Sequence, residues 1–109
     1  PAVSFIDAIH LFYPQESLIK HVHPSAIISN TTQIGENVHI APHVVIENNV
    51  TIGDDVQIGA GTFIGSNSTI NPNIIVLENS IIGSASVVIK DCQERGIYAG
   101  NPAKLIKNQ

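Results

Sequence analysis

The sequence predicts an all-β protein built as a parallel β-helix, and three observations predict it. An aliphatic residue falls on every sixth position from Val22 through Ile28, Ile34, Ile40, Ile46, Ile52, Ile58, Ile64, Ile70, Val76 and Ile82 to Val88. Four residues after each stands a second, mostly small or β-branched residue, from Ala26, Thr32 and Val38 to Ser80, Ser86 and Cys92. The charged residues and asparagines of the stretch all lie one to three places after an aliphatic anchor; Pro24, Pro42 and Pro72 take the second of those places, and Gly35, Gly53, Gly59, Gly65 and Gly83 the first.

A six-residue spacing cannot be an amphipathic helix, because at about 100° per residue successive anchors would point in different directions. It suits short strands, since six is a multiple of the two-residue strand period. Glycine and asparagine supply left-handed backbone cheaply and proline pre-sets φ, so the intervening residues read as a recurring corner. Repeats this short bury no face alone and must stack.

The units Ile34-Gly35-Glu36-Asn37-Val38-His39 and Ile52-Gly53-Asp54-Asp55-Val56-Gln57 resemble the hexapeptide repeats of the left-handed β-helix acyltransferases. That resemblance implies three hexapeptides per coil, a triangular prism and about four coils. The implied organisation is an N-terminal helical cap over residues 1–21, a left-handed β-helix over 22–93, and an irregular donor-binding tail over 94–109.

At 109 residues the chain is one small domain, and its net charge of −4 argues against a nucleic-acid-binding surface. Its distribution says more. Residues 1–89 carry one lysine, whereas Lys90, Arg95, Lys104 and Lys107 gather near the C-terminal end. The single cysteine, Cys92, falls on an inward position and reads as a small buried hydrophobe. Nothing resembles a signal peptide or a membrane span, so a cytoplasmic location is expected.

Residues 1–20 break the rhythm. Ser4-Phe5-Ile6-Asp7 reads as a weak capping box, and Phe5, Ile6, Ile9 and Phe12 form one face of a short helix that Pro14 ends. Such a helix would hide the strand edges at the open end of the prism. The run Leu11-Phe12-Tyr13-Pro14, ahead of His23-Pro24-Ser25-Ala26, is also similar to the junction before the β-helix in the UDP-acylglucosamine N-acyltransferases of lipid A synthesis.

Within the coils, residues 18 apart should stack in columns roughly 4.8 Å apart. One outward column, Ile27, Val45, Phe63 and Ile81, would make a contiguous apolar face, and Ile75 and Leu77 would extend it. The family's usual assembly implies a homotrimer through that column. Another outward column reads His21, His39, Gln57, Ile75 and Gln93, and its polar upper half makes it the better place for a site.

The tail Gly96-Ile97-Tyr98-Ala99-Gly100-Asn101-Pro102-Ala103-Lys104-Leu105-Ile106-Lys107 is similar to the ending of hexapeptide acetyltransferases, especially sialic-acid O-acetyltransferases and bacterial sugar N-acetyltransferases. Val87-Val88-Ile89-Lys90-Asp91 matches the same ending. The resemblance implies an acyl-CoA donor, acetyl-CoA above all, and an acceptor amine or hydroxyl on a sugar or nucleotide sugar. It implies no metal. Gly59, Ala60, Gly61, Gly83, Ser84 and Ala85 would let the donor approach backbone closely, with Lys90, Asn101 and Lys104 toward its phosphates.

Acyl transfer from a thioester needs a base, and the family uses a histidine without a covalent intermediate. His39 matches the His-Ile-Ala-Pro segment of the sugar acetyltransferases, and His43 lies at the corner just beyond it. The family's base would fall half a coil before His39, where this chain has Asn30, which cannot serve. His39 and His43 are therefore the candidates, with His21 and His23 behind them. Two other readings compete: a β-helix scaffold without catalysis, and a γ-type carbonic anhydrase with zinc-binding histidines.

Overall fold

The computed structural model describes residues 22–108. The expected helical cap, with His10 and His21, lies outside them. The rest is a left-handed parallel β-helix, with no helical segment among the described residues. Eleven two-residue strands, β1 (Ile27–Ile28) to β11 (Val87–Val88), each begin on an outward residue and end on a buried anchor.

Three faces result. Face A holds β3 (His39–Ile40), β6 (Gln57–Ile58) and β9 (Ile75–Val76), extended by single bridges from Val22 to Ile40 and from Val76 to Cys92. Face B holds β1, β4 (Val45–Ile46), β7 (Phe63–Ile64) and β10 (Ile81–Ile82). Face C holds β2 (Gln33–Ile34), β5 (Thr51–Ile52), β8 (Thr69–Ile70) and β11. Each strand from β1 to β8 pairs in parallel with the one 18 residues on, as Val45 pairs with Phe63 and Phe63 with Ile81.

Both inward series form the core. Ile46, Ile52, Ile64, Ile70 and Ile82 are essentially sealed, as are Val44, Val50 and Val56. In the lower coils the second series changes to hydroxyls, which the corners satisfy. Thr62 and Ser80 both donate to the Leu77 carbonyl, at 3.2 and 2.7 Å, and Ser68 donates to that of Gly83 at 2.9 Å. Buried polar groups cost little when bonded in this way.

The corners divide labour differently from the sequence expectation. Left-handed backbone occurs at the third place after the anchor, in Asn37, His43, Asn49, Asp55, Gly61, Asn67, Asn73, Asn79 and Ala85. Asparagine suits that place because its short polar side chain tolerates positive φ. The glycines at the first place serve close stacking instead. A Cβ on Gly53 would stand 2.6 Å from the Pro72 nitrogen, and one on Gly59 would stand 2.4 Å from the Glu78 nitrogen.

The rhythm ends with a shortened turn. Val76 bridges Cys92, and Ile81 and Ile82 pair with Ile97 and Tyr98, an offset of sixteen residues rather than eighteen. An even slip keeps every inward residue inward. It also replaces the expected Gln93 beneath Ile75 by Asp91, whose Oδ1 accepts the Ile75 amide at 2.8 Å. The tail then forms two strands, β12 (Gly96–Ala99) and antiparallel β13 (Lys104–Asn108), which add to face B. Ile97 thereby continues the apolar column below Ile81.

Candidate functional site

Face A carries an open groove of about 620 Å³, lined by His39, Ile40, Ala41, Gln57, Ile58, Gly59, Ile75, Val76, Leu77 and Glu78. Its origin is simple. The outward column His39, Gln57 and Ile75 forms one wall, while the first corner places, Ala41 and Gly59, carry little side chain and leave a trough beside it. Leu77 and Glu78 close the lower end.

His39 is half-buried, with its Nε2 withdrawn from solvent. It stands on β3 because the preceding Val38 and following Ile40 both point into the core, which turns the intervening side chain outward. His43 is exposed at the next corner, with φ +63°, and its amide donates to Ser25 Oγ at 2.9 Å. Elsewhere that corner place belongs mostly to asparagine, so the backbone favours a small polar residue over histidine. His23 lies one coil above Ala41, where its Nδ1 bonds Ser25 Oγ at 2.8 Å and accepts the Ser25 amide at 3.1 Å. Asn30 sits at the corner between faces B and C, on the edge opposite face A, so it cannot meet His39 within one chain.

The remaining candidates fall in three places. Gly59, Ala60 and Gly61 turn the edge between faces A and B, beside the groove. Gly83, Ser84 and Ala85 turn the edge between faces B and C. The tail crosses that second edge: the Gly83 amide donates to the Tyr98 carbonyl at 2.8 Å, and the Val87 amide to that of Gly100 at 2.9 Å. Asn101 follows at the turn between β12 and β13. Lys90 and Lys104 both line a smaller cavity of about 330 Å³ under the last coil, with Val88, Cys92, Tyr98 and Leu105.

Burial and the nearby Asp91 push the Cys92 thiol up to about 11, so at neutral pH it is a protonated, unreactive core group. Among the described residues no three histidine, cysteine or acidic side chains converge as metal ligands. No helix among them is long and apolar enough to cross a membrane.

Sequence reasoning did not find Glu78 and Arg95, whose side chains meet at 2.9 Å at the foot of the groove. Their separation of seventeen residues lies off the eighteen-residue columns. Only the tightened last turn brings them together.

Several solved structures resemble this chain. PerB from Caulobacter crescentus, in complex with CoA and GDP-perosamine, is 21% identical, with a TM-score of 0.53 over 78% of this chain and 56% of its own. A maltose O-acetyltransferase from Clostridium difficile 630 is 23% identical, with a TM-score of 0.69 over 86% and 74%. These two share the fold. A serine acetyltransferase in complex with CoA is 27% identical, with a TM-score of 0.59 over 74% of this chain and 41% of its own. The chain therefore spans about half the length of PerB and less of the serine enzyme. No curated protein matches the sequence significantly. The model of the bacterial transferase hexapeptide (six repeats) family matches residues 31–65 and 55–90, together more than half of the chain. With that match over a prism of stacked six-residue units, the chain belongs to the bacterial transferase hexapeptide family.

Proposed function

We propose that this chain is an acyl-CoA-dependent acyltransferase that moves an acetyl group, or a longer acyl group, to an amine or hydroxyl of a sugar or nucleotide sugar. The observation that carries the reading is the face A groove, where a half-buried imidazole stands beside a trough of small residues in a transferase-family prism. The solved relatives support the same chemistry, since PerB holds CoA with a nucleotide sugar and the serine acetyltransferase holds CoA.

His39 acts as general base. It takes the acceptor's proton as the acceptor nitrogen or oxygen bonds to the thioester carbonyl carbon. The carbon–sulfur bond then breaks, and the proton passes from His39 to the departing thiolate, which leaves as free thiol. His43 is the alternative base, and its exposed corner place gives it less support.

The donor arm lies along the trough past Gly59, Ala60 and Gly61 of one chain, while Lys90, Asn101 and Lys104, and the corner Gly83, Ser84 and Ala85, reach its phosphate-bearing end from a neighbouring copy. The column Ile27, Val45, Phe63, Ile81 and Ile97 packs chains into a homotrimer, and neighbouring copies complete the acceptor site. Asn30 favours a second reading, a prism that keeps the assembly without catalysis.

Calorimetric titration with coenzyme A and acetyl-CoA, with molecular mass recorded on the same sample, separates the two. Saturable binding at about one site per chain is expected, followed by turnover with amino sugars or nucleotide sugars. A well-folded assembly that binds neither compound would overturn the transferase reading.

A further inference from the structure

The foot of the groove carries an arrangement that the acyl-transfer chemistry does not require. Glu78 is, among the described residues, the one carboxylate lining the groove, and by itself it would repel a phosphate-bearing ligand. Arg95 Nη2 reaches Glu78 Oε2 at 2.9 Å, and both side chains remain about half exposed, at 53% and 49%. Such a pair holds weakly and exchanges readily with another anion.

The backbone beneath Arg95 is held much more firmly. The Tyr98 hydroxyl accepts the Glu94 amide at 3.1 Å and donates to the Glu94 carbonyl at 2.7 Å, with the ring 8% exposed. On the other side of the turn, the Cys92 amide bonds the Ile75 carbonyl at 2.9 Å and the Leu77 amide bonds the Cys92 carbonyl at 3.0 Å, tying the turn to the groove's own strand. A long cationic arm thus rises from a clamped turn to a weak, exchangeable partner. A guanidinium has five N–H donors, and this pairing engages it through one nitrogen.

We infer that Arg95 is the anion-binding residue of the face A groove, exchanging the Glu78 carboxylate for a phosphate group of the bound ligand. The inference rests on the acyltransferase reading for the identity of that ligand. Its phosphate could belong to the coenzyme A donor or to the diphosphate of a nucleotide-sugar acceptor. The guanidinium fork suits either. Glu78 then acts as a latch that keeps the arm in place when the groove is empty.

A latch and a structural clamp differ in sign. Binding of coenzyme A, dephospho-coenzyme A and UDP-N-acetylglucosamine would be measured by calorimetry for the wild-type, Arg95→Gln, Arg95→Lys and Glu78→Gln proteins, each first checked for an unchanged unfolding midpoint. Arg95→Gln should weaken a phosphate-bearing probe about tenfold, and Arg95→Lys should recover part of that loss. Glu78→Gln should tighten the same probe about threefold, because the competing carboxylate is gone. A response to coenzyme A that is lost with dephospho-coenzyme A assigns the donor's terminal phosphate, and a response only to the nucleotide sugar assigns the acceptor.

Arg95-dependent binding of the nucleotide sugar without any binding of coenzyme A would sink the donor reading and keep the assignment. Coenzyme A binding, with every probe indifferent to all three substitutions, would do the reverse. The inference also falls if Glu78→Gln binds no tighter than wild type, or if no variant binds any probe.

Discussion

Through the coils, faces A and B are built from the same two-residue strands, each ending on a buried aliphatic anchor, and they differ most in the residue that each strand turns outward. On face B those residues are Ile27, Val45, Phe63 and Ile81, joined below by Ile97. On face A they are His39, Gln57 and Ile75. The contrast teaches that the core specifies the prism and the outward column specifies its use. One residue per coil gives the same sheet an apolar face on one side and, with the small corner residues Ala41 and Gly59, a groove on the other.

The largest test of that contrast pairs two substitutions. His39→Ala should lower acyl transfer at least ~100-fold, the usual contribution of a general base, and leave the molecular mass unchanged. Phe63→Glu should leave each coil folded and dissociate the proposed homotrimer, since an unpaired charge in an apolar contact costs several kcal/mol, about 3 or more. Light scattering reads the second result. A Phe63→Glu protein that keeps its mass would remove face B from the contact, and a fully active His39→Ala protein would remove His39 from the chemistry.

Next in size is Gly59→Ala, on the edge that the two faces share. Its Cβ would enter the backbone of the next coil, 2.4 Å from the Glu78 nitrogen, so the coils must separate locally. A loss of about 1–3 kcal/mol in chemical unfolding is expected, together with weaker ligand binding in the groove. Unchanged stability would mean that the stack yields more easily than its geometry suggests.

A smaller effect tests the core common to both faces. The Cys92 thiol titrates higher when folded than when unfolded, so the folded chain keeps its proton while the unfolded chain loses it. Stability should therefore fall as pH rises from 9 to about 11, and the Cys92 contribution to that fall should vanish in Cys92→Ser. Serine already occupies three such inward places, at Ser68, Ser80 and Ser86. An identical alkaline decline in the variant would exclude Cys92 as its source.

Ala85→Gly is the mildest test, on the edge remote from the groove. Ala85 holds φ +58° with no polar side chain to assist it, and relief of about 1–2 kcal/mol exceeds the entropy that glycine adds to the unfolded chain, about 0.4–1 kcal/mol. A small gain in stability is expected, measured by denaturant unfolding. A loss of stability instead would mean that the left-handed backbone at Ala85 carries no strain.

The prism was legible because periodicity records which residues point inward, and burial of the series from Ile28 to Val88 follows it place by place. The corner roles were less legible. Gly53 and Gly59 look like turn formers in sequence, while their job is to admit the next coil, a constraint between residues far apart in the chain. The groove combines a readable column with a trough that depends on Ala41 and Gly59 lying side by side. Arg95 meeting Glu78 was hidden for a stricter reason: the pair forms only after the register shortens from eighteen residues to sixteen, and no repeat announces that step.

The column register has a consequence for how such a chain can change. Removing or duplicating one whole turn of eighteen residues would return every anchor to the interior and every asparagine to its corner. The surrounding turns would meet partners much like those they lost. What would change is the length of the trough, by roughly 4.8 Å for each turn gained or lost. The size of molecule that fits along face A is thus tied to a count of turns, and selection could adjust it in whole steps by copying a segment without redesigning the interior.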